Sequence, residues 1–270
     1  MSNALKLLLK SNPETLMRVF GMAYAAWFTV GLFSIAFEWS SYFYHIEDLL
    51  FIAFAAMTVF FNACGRLSGT IALKLLLWVG IFSGLVEYAG VVYGFPFGSY
   101  GYTEHFGPRL YGKLPLAIPF AWWVIVFILH AFWGSFIRNK TINSVWIPVI
   151  VGLNATFVDL AIEPVATIVR SYWIWDSNAS LFYGVPLSNF LSWFLVAGII
   201  SFGIELIAGK QIATAYRPKE AFRIPFAVLG GVLISFLVGA IVAGLWLAVA
   251  IIIANCCALV LMYQSRETNE

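Results

Sequence analysis

Apolar residues in this chain come in runs of roughly twenty, separated by short connections, and neither strand alternation nor a soluble amphipathic stripe organises them. Runs of that length match the ~20 residues needed to cross a hydrocarbon core of about 30 Å. They predict spans near 19 to 37, 49 to 64, 70 to 93, 115 to 137, 145 to 168, 187 to 208, 224 to 239 and 245 to 263. The last two share an almost continuous apolar stretch broken only around Gly239 to Gly244. A single helix over that stretch would be about 60 Å long, twice the core thickness, so a tight hairpin is expected.

Sorting the basic residues by connection supports the count. With an inside N-terminus, Lys6, Lys10, Arg18, Arg66, Lys74, Arg138, Lys140, Lys210, Arg217, Lys219, Arg223 and Arg266 fall inside, which is 12 of the 15. Arg109, Lys113 and Arg170 remain outside. This is the positive-inside bias, and removing one crossing would spoil it downstream. The expectation is an all-α, polytopic bundle of about eight helices forming one membrane domain over 1–270, with both termini cytoplasmic, in a prokaryotic inner membrane. A short apolar core followed by a small-residue cleavage site is missing from the first eighteen residues, so the first span is expected to act as its own signal.

Composition agrees, since the chain is 62% hydrophobic and 10% charged. Soluble domains carry about 25% charged residues. Cys64, Cys256 and Cys257 sit in or beside apolar runs and read as packing residues. The outer connections are rich in Tyr, Trp, Gly and Pro, where the inner ones are short and basic. Two of them carry a similar phrase, Tyr93-Gly94-Phe95-Pro96 and Tyr183-Gly184-Val185-Pro186, which reads either as a weak duplication or as two turns that arose separately.

Ionisable groups inside a bilayer cost roughly 2.5 to 3.5 kcal/mol each at mid-helix, so those present face a protein interior or a cavity. Glu87 lies near the outer end of the third span. Asp159 and Glu163 lie in the outer half of the fifth, on one helix face at i, i+4. Asn154 precedes them on the same span, and Asn189 opens the sixth at the same level. Three carboxyl groups at one depth in a low dielectric cannot all ionise cheaply, so at least one is expected to carry its proton. The plain alternative is that each acid only accepts hydrogen bonds from a neighbouring helix. Around them cluster Tyr88, Tyr93, Tyr100, Tyr102, Tyr172, Trp173, Trp175, Tyr183 and Trp193, whose faces suit a flat conjugated hydrocarbon or a developing carbocation. Glu205 is expected to pair with Lys210, and Glu38, Glu47 and Asp48 read as a solvated outer loop.

Several classes are excluded. His45, His105 and His130 include no i, i+4 pair, so the histidine clusters of a membrane di-iron oxygenase cannot form. No lysine lies in the outer two thirds of a span, which removes a retinal Schiff base. No phosphate-binding glycine loop is present.

Glu87-Tyr88, Tyr93-Gly94-Phe95-Pro96-Phe97-Gly98-Ser99-Tyr100-Gly101-Tyr102, Ile118-Pro119-Phe120-Ala121-Trp122, Asp159-Leu160-Ala161-Ile162-Glu163-Pro164-Val165-Ala166, Trp173-Ile174-Trp175 and Tyr183-Gly184-Val185-Pro186-Leu187-Ser188-Asn189-Phe190 with Trp193 together resemble the carotenoid biosynthesis membrane proteins. These are the bisanhydrobacterioruberin hydratase-like and carotenoid 1,2-hydratase-like enzymes. The resemblance covers roughly Ser83 to Phe194; Glu163 departs from it, since aspartate is expected there, which keeps the acid and lengthens its reach by a methylene.

The resemblance implies cofactor-free addition of water to the terminal double bond of an acyclic or monocyclic carotenoid. Membrane lipid and other carotenoid-pathway enzymes are the implied partners, and no nucleic acid is. Protonation needs a desolvated acid, and capture of the tertiary cation needs a held water. Asp159 is the first choice of donor, being the deeper of its pair and flanked by Phe157 and Leu160; Glu87 is next. Glu163, before Pro164, is the candidate for positioning water. Tyr93, Tyr100, Tyr102, Trp175, Tyr183, Asn189, Trp193 and Asn154 are the candidate substrate contacts. Two rivals stand beside this reading: a proton-coupled transporter using the same acids as a relay, and a carotenoid-binding protein without catalysis.

Overall fold

In the computed structural model of the chain the described residues are 12–37, 46–138, 144–176 and 182–264. Lys6, Lys10, Glu38, His45, Lys140 and Arg266 lie outside them.

Among the described residues eight helices are long and apolar enough to cross a membrane: α1 (Pro13–Ala36), α2 (Glu47–Arg66), α3 (Gly69–Tyr93), α4 (Ala117–Arg138), α5 (Trp146–Pro164), α6 (Leu187–Ala215), α7 (Arg223–Val242) and α8 (Trp246–Gln264). The chain is a multi-pass helical integral membrane protein. The differences from the expected boundaries have local causes. α1 begins six residues early because Asn12 caps the Glu14 N–H and Pro13 fills a first-turn position whose N–H would have no partner. α6 runs on to Ala215, and its expected end at 208 is a kink, where Ala208 leaves helical geometry at φ −153° before the helix resumes. The expected hairpin is present: Ala243 and Gly244 turn between α7 and α8, with Gly244 at φ +69°.

α4 is the central helix, 83% buried along its span, whereas α1 and α8 bury 6% and 17% of theirs and lie at the periphery. α5 and α6 approach closely because Gly152 leaves room for the Phe194 carbonyl; a Cβ there would meet that oxygen at 2.5 Å. Asn255 on α8 donates to the Phe157 carbonyl of α5 at 2.9 Å, an interhelical bond within the apolar span. The Glu205 carboxylate, expected beside Lys210, has Oε2 3.6 Å from His130 Nε2, and His130 Nδ1 lies 2.8 Å from Ser201 Oγ. Turning the acid toward α4 removes it from lipid and gives it a partner inside the bundle.

The sequence reading predicted no strand, yet two short ribbons form among the long connections. β1 (Tyr100–Tyr102) pairs antiparallel with β4 (Trp173–Trp175), and β2 (Arg109–Leu110) pairs with β3 (Leu114–Pro115). Glu47 and Asp48, expected in a solvated loop, open α2. Asp48 accepts a 2.8 Å hydrogen bond from Arg170. That bond ties α2 to the π-helical turn Val165–Val169 that follows Pro164.

The two Tyr-Gly-x-Pro phrases differ in conformation. Tyr93 ends a helix before left-handed Gly94, whereas Tyr183 is itself left-handed (φ +48°) and Pro186 precedes a helix. They nonetheless pack together. Ser188 Oγ donates to the Phe97 carbonyl and Ser192 Oγ to the Pro96 carbonyl, each at 2.8 Å.

Candidate active site

Glu87, Asp159 and Glu163 come from different turns of α3 and α5 and are all buried, at 5%, 1% and 1% exposure. The β1–β4 ribbon explains how their polarity is met. Side chains alternate faces along a strand, so Tyr100 and Tyr102 share one face and Gly101 turns away; Trp173 and Trp175 share theirs and Ile174 turns away. In register Tyr100 opposes Trp175 and Tyr102 opposes Trp173. Four aromatic donors are thereby presented to two carboxyl groups.

Tyr100 and Tyr102 donate their hydroxyls to Glu87 Oε2 at 2.7 and 2.9 Å, and Trp122 of α4 donates its indole N–H to Oε1 at 2.9 Å. Gly90, one turn after Glu87, makes this possible, since a Cβ there would lie 2.9 Å from both the Tyr100 hydroxyl and the Phe97 ring. Burial, followed by the nearby Glu87 charge, pushes both phenols well above their ordinary value, so they remain donors.

Glu163 takes the other strand's pair, with Trp173 and Trp175 Nε1 at 3.1 and 3.3 Å from Oε2. Asn189, at the start of α6, spans the two acids of α5: its Nδ2 lies 2.7 Å from Asp159 Oδ2 and 3.0 Å from Glu163 Oε1. The i, i+4 spacing of the acids is what lets one amide serve both. Asp159 Oδ1 is buried and has no hydrogen-bond partner among the described residues.

A cavity of about 1110 Å³ opens against this constellation. Glu87, Glu163, Asn189, Tyr100, Tyr102, Trp122, Trp173, Trp175 and Trp193 line it, and Trp122 stacks on Trp193 with ring centres 4.1 Å apart. Beyond them the wall is mostly apolar, with Ser34, Glu47 and Ser235 as polar members, and is completed by α1, α2 and α7. Asp48 and Arg170 also face it, with Arg170 donating to the Tyr172 hydroxyl at 2.9 Å.

The expected contacts divide accordingly. Tyr100, Tyr102, Trp175, Asn189 and Trp193 meet at the cavity with Glu87 and Glu163. Asp159 does not reach the wall and sits behind Asn189. Three others lie elsewhere. Asn154 is five residues before Asp159, which at 3.6 residues per turn rotates it about 140° round α5. Tyr93 is six residues beyond Glu87, rotated about 120° away at the helix end. It is 78% exposed. Tyr183 sits in its left-handed turn against Phe182, with rings 4.9 Å apart. Trp173, named in the aromatic cluster around the acids but not among the substrate contacts, belongs to the site, and so does Trp122, which was read only as part of the resemblance at the start of the fourth span. Their signal was present, as the alternation of Tyr-Gly-Tyr with Trp-Ile-Trp and as a tryptophan opening α4 at the level of the acids.

The arrangement has the makings of acid catalysis on an apolar ligand: carboxyl groups secluded from water, immobilised by rigid donors, at the end of an aromatic chamber. The bisanhydrobacterioruberin hydratase of Haloarcula japonica is 27% identical over 156 residues, covering 52% of each chain, so this chain spans about half the length of that curated relative. No solved structure matches. The family described as "carotenoid biosynthesis protein" matches residues 47–261, which take in seven of the eight helices and the whole acid constellation, and the chain belongs to that family.

Proposed function

We propose that the protein is a carotenoid hydratase that adds water across the terminal carbon–carbon double bond of an acyclic end group. The observation that carries this reading is that Glu87 and Glu163 face one aromatic-walled cavity, each held by donors on both oxygens. A relative named for hydration of a carotenoid supports the substrate class.

In the mechanism we favour, Glu163 gives its proton to the less substituted alkene carbon. The π electrons form the new C–H bond and leave a tertiary cation on the neighbouring carbon. Glu87, facing the same cavity, stabilises that charge electrostatically, and the Trp122–Trp193 stack and Trp175 shield it through their faces. Water then forms the C–O bond, and its surplus proton returns to the Glu163 carboxylate. Alkene and water give a tertiary alcohol, the acids are regenerated, and no redox partner is required. Asp159, sharing the Asn189 amide with Glu163, serves as the carboxyl behind the donor, so the donor role passes from Asp159 to its i+4 neighbour.

The charge bias of 12 basic residues in 15 supports cytoplasmic termini and an acid end near the outer face of a prokaryotic inner membrane. We read the chain as one membrane domain.

The test is expression in a bacterium that accumulates an acyclic carotenoid, with mass spectrometry of the pigments. A gain of one water per modified end is expected, with the oxygen coming from labelled water under anaerobic conditions. Label arriving from molecular oxygen, or unchanged pigment with the protein present in the membrane, sinks the reading.

A further inference from the structure

The cavity has a mouth as well as an acid end. Of the described residues that line it, the exposed ones are Val30 on α1 and Val242 and Ala243 at the end of α7, with Val30 53% and Val242 46% exposed. Lining residues on the other helices are buried or only partly exposed. The chamber therefore opens on its flank, between α1 and α7.

The gap between these helices has a defined lower limit. Tyr24 Oη donates to the Val228 carbonyl at 2.8 Å, and Gly231 accommodates the Tyr24 hydroxyl where any side chain would collide. Above this pin α1 presents Gly31, whose absent side chain faces open space, with nothing within 4 Å of a Cβ built there. Along α7 the lining runs from Val232 to Ala243. That stretch is roughly 16 Å long at about 1.5 Å per residue.

An extended carotenoid is about as long as the hydrocarbon core is thick, about 30 Å, so a chamber of this length encloses roughly half of it. The remainder must leave through the flank. We propose that the α1–α7 gap above the Tyr24–Val228 bond is the port in which the conjugated chain of a long, unbranched isoprenoid lies, its end at Glu87 and Glu163 and its far half in lipid. This rests on the hydratase reading for the identity of the ligand. The port itself rests on the cavity and its rim. Gly31 and the flanking valines admit a rod of polyene thickness, so the site is selective for linear chains and insensitive to what lies at their distant end.

The experiment compares Gly31→Phe, Val30→Trp and Val242→Trp with the parent chain and with Gly230→Phe, which lies on α7 off the cavity with open space around it. The half-exposed valines give variants whose added bulk the fold tolerates. Two readouts are taken from membranes: polyene absorbance retained by the purified protein, and hydration of an acyclic C40 carotenoid beside a C15 isoprenoid alcohol with the same end group. The port predicts at least a tenfold loss of carotenoid retention and hydration in the three port variants, with C15 turnover within about twofold of the parent and Gly230→Phe unaffected. Parent protein that retains polyene through the port but hydrates neither compound overturns the hydratase reading and leaves the port standing. Port variants that keep carotenoid retention, or that lose C15 turnover as fully as carotenoid turnover, overturn the port.

Discussion

Tyr100 and Trp175 stand opposite each other in the β1–β4 ribbon with ring centres 4.9 Å apart, and each reaches a different acid: the hydroxyl binds Glu87 and the indole binds Glu163. One ribbon thus fixes the spacing of two carboxyl groups that belong to separate helices. Tyr100→Phe keeps the ring and removes one of three donors on Glu87. Hydrogen bonds to charged groups contribute about 1.5 to 3 kcal/mol, so kcat is expected to fall roughly tenfold to a hundredfold with little change in KM. A variant that changes KM alone would show that the hydroxyl serves binding and not the reacting end.

Glu163 and Asp159 are separated by their position relative to the cavity. Glu163→Gln should abolish water addition, because the cavity-facing group that the proposed mechanism makes the proton donor then has no acidic proton. Asp159→Asn should leave measurable turnover, since Asn189 and Glu163 keep their contact. The two variants are compared by product formed per amount of membrane-resident protein. Activity surviving in Glu163→Gln and lost in Asp159→Asn would return the donor role to Asp159.

Alkaline behaviour follows from the loop tyrosines. Tyr100, Tyr102 and Tyr172 are held well above the ordinary phenol value, chiefly by burial and then by the neighbouring Glu87 or Asp48 carboxylates. The folded chain therefore keeps protons that the unfolded chain releases above about pH 10. Their contribution to stability is fully present below that pH and is lost as pH rises beyond it. Thermal unfolding in detergent should show a midpoint that falls beyond about pH 10. Tyr102→Phe should flatten the fall, and an unchanged slope in that variant would remove this residue from the account.

The helices were legible because bilayer thickness imposes a run length that composition alone reveals. Asp159, Glu163 and Glu87 were legible because a charge in lipid demands a reason. The ribbon was not, since three-residue strands such as Tyr-Gly-Tyr carry too little pattern to announce a partner so distant in the chain. For the same reason Trp122 went unselected, while Tyr93 and Tyr183 were placed beside the acids by their position in the chain. Adjacency in sequence stood in for orientation, and it is orientation that a left-handed turn or a helix end reverses. Asp48 and Glu205 were misread in a similar way, as solvated or locally paired groups, because their partners Arg170 and His130 come from other segments of the fold.

Gly152 tests whether the acid pair depends on helix spacing. Its α-carbon faces the Phe194 carbonyl, and a methyl group there would stand 2.5 Å from an oxygen that belongs to backbone and cannot rotate aside. Gly152→Ala must therefore push α6 away from α5. Overpacking of this kind costs about 1 to 3 kcal/mol. Asn189 lies five residues before Phe194 on the same helix, and its two bonds of 2.7 and 3.0 Å have little slack. The expected outcome is a lowered unfolding midpoint together with a fall in kcat that is not additive with Asn189→Ala, so that the double variant is no slower than Asn189→Ala alone. If Gly152→Ala slows the Asn189→Ala enzyme further by the same factor, the spacing acts on catalysis through some group other than the shared amide.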